Sequence, residues 1–98
     1  MKKTKTRRYY VAEHLRTPEE MAAYLEAAFE EAGGEAAFIA KAIGDVARAR
    51  GMTRVAREAG LSRESLYKGL SGERSPDFDT ILRVLTALGL QLRAEPTG

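Results

Sequence analysis

In the stretch MTRVAREAGLSRESLYKGLSG, residues 52–72, side chains able to grip a nucleic-acid duplex crowd into a few turns of chain. Arg63 carries a planar fork that matches guanine O6 and N7, and Lys68 suits a phosphate or a guanine. Ser62 and Thr53 bring hydroxyls that can donate to phosphate oxygens, and Ser65 falls near the same surface. Arg54, Arg57 and Arg74 flank the stretch as candidate backbone contacts. Glu64 either accepts from cytosine N4 or pairs with Lys68 at i,i+4, and the pair is the preferred reading. Tyr67 stands open between a base contact and a partly buried packing residue. The alternative for the whole set is ordinary surface charge on a helical bundle.

Two short helices must hold these groups, over residues 53–59 and 62–70, with only Gly60 and Leu61 between them. Ala56 is small where the first helix packs closely on the second, and Gly60 tolerates the left-handed backbone of a tight turn. Leu61, Leu66 and Leu70 turn inward, which leaves Arg63, Glu64, Tyr67 and Lys68 outward. In such a helix-turn-helix the second helix enters the major groove and offers its N-terminal residues to base edges. Thr53 and Ser62 are the expected N-caps of the two helices.

The remaining chain predicts more helix around this pair. Thr17, Pro18 and Glu20 form a capping-box start, and Met21, Leu25, Ala28 and Phe29 follow at helical spacing until Gly33 and Gly34. A second helix covers residues 35–50, with Phe38, Ile39, Ala42, Ile43 and Val46 on its inward stripe and Gly51 as its stop. SGERSP reads as a loop. Asp77 then caps a helix carrying Phe78, Ile81, Leu82, Leu85 and Leu88, which Gly89 ends. Leu90, Leu92 and Ala94 alternate with Gln91, Arg93 and Glu95, which predicts a short terminal strand stopped by Pro96. A lone strand needs a partner, from the basic arm, a second copy or another protein. The expected class is all-α, a compact five-helix bundle with a short C-terminal strand.

Charge divides the chain further. Residues 1–16 hold six basic side chains against Glu13, residues 17–35 hold six glutamates and no Lys or Arg, and residues 36–98 hold ten basic against seven acidic. The expected organisation is a basic arm over 1–16, an acidic helix and linker over 17–34, and the helix-turn-helix domain with its strand over 35–98. Such polarity suits two different partner surfaces, or simply solvated faces.

Composition closes off other chemistry. Hydrophobic residues at 44% and charged residues at 31% are the balance of a folded globular domain. With no cysteine there is neither a disulfide nor a thiolate metal site, and the single histidine, His14, cannot assemble a metal site or a catalytic triad from ordinary partners. No enzyme activity, cofactor, small-molecule substrate or membrane span is expected, and the cytoplasm is the expected compartment.

Three segments, AEHLRTPEEMAAYLEAAFEE, DVARARGMTRVAREAGLSRESLYKGLSGE and FDTILRVLTALGLQLRAEP, occur in the order found in a known family. The chain resembles the probable addiction-module antidote proteins, a HigA-like branch of the lambda-repressor-type (XRE, Cro/CI) helix-turn-helix superfamily, from about Tyr9 onward. That resemblance implies a lambda-repressor-like bundle and the antitoxin role of a two-gene module. It also implies a RelE- or ParE-like toxin as partner and repression of the shared operon by a homodimer on operator DNA. It places the recognition helix on residues 62–70 and the supporting helix on residues 53–59. Two positions depart from the superfamily pattern: Gly69 stands where an aliphatic residue is common, so Leu70 is expected to take over the packing, and Arg54 stands where glutamine is common. A free-standing repressor without a toxin is the alternative, followed by an interaction module that has lost DNA binding.

Overall fold

Helix-forming runs punctuated by glycines give the chain its order in space. A computed structural model describes residues 15–73 and 75–97, and among them the regular structure is five helices and no strand. These are α1 (Pro18–Ala32), α2 (Ala36–Arg50), α3 (Met52–Ala59), α4 (Arg63–Gly69) and α5 (Phe78–Ala87). Residues 1–14 of the basic arm, His14 among them, and Arg74 lie outside the described residues. Among the described residues no helix is long and apolar enough to cross a membrane, and no group of His, Cys, Asp or Glu side chains is placed to hold a metal ion.

The start of α1 is a complete capping box. Thr17 Oγ1 accepts from the Glu20 amide at 3.1 Å, while Glu20 Oε1 accepts from the Thr17 amide at 3.1 Å and from that of Arg16 at 2.7 Å. Each bond satisfies a donor that the first helical turn would otherwise leave unmet. Gly33, left-handed at φ 59°, closes the helix. α1 then packs on α2. Across that contact Tyr24 Oη donates to Asp45 Oδ2 at 2.7 Å, and Arg48 Nη2 donates to Asp45 Oδ1 at 3.0 Å.

One core joins all five helices. Met21 and Leu25 of α1 meet Ile43 and Val46 of α2, Val55 and Ala56 of α3, Leu66 of α4, and Val84 and Leu85 of α5. α3 packs against α2, α4 and α5, and so sits at the centre of the arrangement. α2 also comes close to the end of α4: a Cβ on Gly44 would lie 3.0 Å from the Leu70 carbonyl oxygen. Only glycine permits that approach without a shift.

Four expectations need correction. α3 begins at Met52, with Gly51 rather than Thr53 at the cap position and no side-chain cap bond. Burial of the Met52 side chain accompanies a cap two residues earlier than expected. Asp77 does occupy the N-cap of α5, but its carboxylate makes no capping hydrogen bond. Phe29, Phe38, Phe78 and Leu82, placed on inward stripes by periodicity, are exposed. Helical spacing marks an apolar face but not how much of it the neighbouring helices reach to cover. Residues 90–97 form no strand. Leu90 donates to the Leu85 carbonyl at 2.8 Å, and beyond it no backbone hydrogen bond links residues 91–97 to another described residue. The alternation is present in the sequence, but no described residue stands beside it as a ladder partner.

Candidate nucleic-acid interface

Gly60 makes the corner on which the candidate surface depends. It adopts φ 74°, ψ 31°, and the Leu61 amide donates to the Ala56 carbonyl at 2.9 Å while its own amide donates to that of Arg57 at 3.3 Å. This pair of bonds is a Schellman motif, which closes α3 and turns the chain at once. Arg83 of α5 adds a brace from outside: Nη1 donates to the Ala59 carbonyl at 3.3 Å, and Nε pairs with Asp79 at 2.9 Å. The brace was not legible in advance, although the i,i+4 spacing of Asp79 and Arg83 was its visible half.

Past the corner, Ser62 caps α4. Its hydroxyl oxygen accepts from the Ser65 amide at 3.0 Å and donates to Ser65 Oγ at 3.0 Å. Leu66 is fully buried and Leu70 nearly so, which fixes α4 by its underside. The helix ends at Gly69 with Leu70 as its C-cap, so the packing passes to Leu70 as the glycine predicts. At Gly69 a Cβ would stand 3.3 Å from Thr80 Cγ2, so this glycine lets the end of α4 lie against the start of α5.

The opposite face of α4 is open. Arg63, Glu64, Tyr67 and Lys68 are all exposed, with Ser62 and Ser65 beside them at the helix start. Arg63 Nη2 donates to Tyr67 Oη at 3.1 Å, and its guanidinium carbon lies 5.4 Å from the ring centroid. Tyr67 is 43% exposed. The preferred Glu64–Lys68 pair is not formed among the described residues. The pairs that form instead are Arg63 with Tyr67, and Arg54 with Glu58 at 3.1 Å. Thr53, Arg54 and Arg57 are exposed on α3, and Arg57 and Lys68 form no ion pair among the described residues.

Beside α4 an open hollow of about 530 Å³ is lined by Ser65, Lys68, Ser75, Pro76, Asp77 and Thr80, among others. Its walls are hydroxyls, one ammonium and one carboxylate, without a nucleophile–base pair or a cluster of carboxylates. Such groups can recognise a partner by hydrogen bonds and charge. Cationic and hydroxyl groups lie together on one short, rigidly seated helix and the helix before it, as contact with a phosphate-rich, groove-bearing partner requires.

A family model described as probable addiction module antidote protein matches residues 5–96. An uncharacterized protein of Haemophilus influenzae is 48% identical over 85 residues, which span 87% of this chain and 86% of that protein. No solved structure matches the chain. With the match running through every described helix, the chain belongs to the family of probable addiction module antidote proteins.

Proposed function

We propose that this protein is the antitoxin of a type II toxin–antitoxin module, in a HigA-like branch of the lambda-repressor-type helix-turn-helix superfamily. It binds operator DNA through α4, represses its own operon as a homodimer, and neutralises a RelE- or ParE-like toxin in the cytoplasm. It acts by binding alone and carries out no reaction. The observation that carries the DNA-binding part is the α3–α4 pair, cornered at Gly60, with Leu66 buried beneath and Arg63, Tyr67 and Lys68 outward. In that arrangement Arg63 reads guanine and Lys68 takes guanine or phosphate. Ser62, Ser65, Thr53, Arg54 and Arg57 hold the register on the backbone. A dimer sets two copies of α4 about 34 Å apart, one turn of B-DNA, to match a palindromic site.

The test is a gel shift on the DNA upstream of the gene, run beside co-purification with the product of the adjacent gene. Replacing Arg63 and Lys68 together by alanine abolishes the shift and leaves the toxin complex intact. A retained shift removes α4 from the interface.

A further inference from the structure

The groove between α1 and the chain that follows α5 is left unused by DNA recognition. Ala22, Leu25, Phe29, Leu85, Leu90 and Leu92 give it an apolar lining around about 370 Å³, with Glu26, Arg93 and Glu95 also at its walls. Phe29 is 39% exposed and Leu92 44%, so the apolar surface there is only partly covered. The far wall is residues 91–95, whose backbone makes no hydrogen bond to any other described residue. Glu19, Glu26 and Glu30 recur at seven- and four-residue spacing, which puts them in one exposed row on α1, and Glu26 brings that row to the groove. α1 contains no Lys or Arg to offset it.

We propose that this groove is where the toxin docks, and that its occupant is an extended toxin segment alternating apolar with basic side chains. The apolar side chains cover Phe29 and Leu92, and the cations meet Glu26 and Glu30. The segment's backbone pairs with residues 91–95 by strand addition, which supplies the ladder partner that no described residue provides. A second copy of this chain is the poorer occupant, because it would bring a second acidic row toward the first. The proposal rests on the antitoxin reading and adds the toxin's position and the chemistry it must present.

The test uses the full-length protein and, as probe, the purified product of the adjacent gene, titrated by calorimetry. Two double variants are made at exposed positions: Phe29→Glu with Leu92→Glu, and Glu26→Lys with Glu30→Lys. Circular dichroism checks that both keep their helices. Each is expected to weaken the complex by roughly 30-fold or more, the scale of an interface hot spot, with the operator gel shift unchanged. Complex formation that survives both double variants overturns the groove and leaves the antitoxin reading standing. A wild-type protein that does not bind the probe overturns both. If Phe29→Glu with Leu92→Glu instead halves the mass in ultracentrifugation, the groove belongs to a second copy. If replacing Lys2, Lys3, Lys5, Arg7 and Arg8 by glutamine tightens the complex, it belongs to the chain's own arm. Either result overturns the proposal.

Discussion

Tyr67 holds the Arg63 guanidinium in two ways, by its hydroxyl at 3.1 Å and by its ring at 5.4 Å. At an exposed site such a cation–π contact contributes about 0.5–1 kcal/mol, and a hydrogen bond adds a similar amount. An arginine already restrained in this way loses less rotamer freedom when it meets a base. Tyr67→Phe keeps the ring and removes the hydroxyl, so operator affinity is expected to fall by roughly two- to tenfold. The melting temperature should fall by no more than roughly 4–8 °C, the shift that about 1 kcal/mol gives in a domain of this size. Fluorescence anisotropy on labelled operator checks the first part and a thermal melt the second, and an unaltered affinity would remove Tyr67 from recognition. The outward set on α4 was legible from the leucines beneath it, but the pairing within that set was not. Glu64 and Lys68 have the favourable i,i+4 order, yet an exposed pair of this kind is worth only a few tenths of a kcal/mol. So small a gain does not decide rotamers against the entropy of holding two long side chains.

At the scale of elements the glycine corner is the part most open to attack. Gly60→Ala puts a Cβ on a left-handed residue, which costs roughly 1–2 kcal/mol, and sets it 3.2 Å from Arg83 Nη1. A matching loss of stability in urea is expected, and equal unfolding midpoints would contradict the role given to this turn. Leu66→Ala should cost more, about 2–5 kcal/mol for a buried leucine, since it removes the anchor that all of α4 rests on. Equilibrium unfolding in urea gives this value too, and a loss below that of the Gly60 variant would show that α4 is held by something else. All five helices were readable in outline because their signals are local: a capping box at Thr17, glycines after Ala32, Arg50 and Ala59, and leucines at helical spacing. What local signals could not supply was non-local. The start of α3 shifted with the burial of Met52, the Arg83 brace joins residues 24 positions apart, and the strand over 90–95 needed a neighbour that the described residues do not provide.

Across the whole molecule, charge is sorted by face. α1 contributes only acids, while the exposed sides of α3 and α4 contribute Arg54, Arg57, Arg63 and Lys68 against Glu58 and Glu64. A small formal net charge of +2 therefore conceals two surfaces of opposite sign. This division was legible in the sequence, and it supports two partners on separate faces, a polyanion at α4 and a cationic protein at α1. Which apolar side chains stay uncovered was not legible, because it depends on how far each helix overlaps the next. Phe78, 65% exposed at the head of α5, is the clearest instance.

Contact between α4 and DNA is tested most directly by titrating labelled upstream DNA with protein at two salt concentrations. Wild type and the Arg63→Ala, Lys68→Ala double variant are compared. Wild-type affinity should fall by at least roughly tenfold between about 50 and 200 mM salt, as phosphate contacts release counterions, and the double variant should show no specific binding at either concentration. A double variant that binds like wild type, or a wild-type affinity indifferent to salt, would contradict DNA recognition by α4.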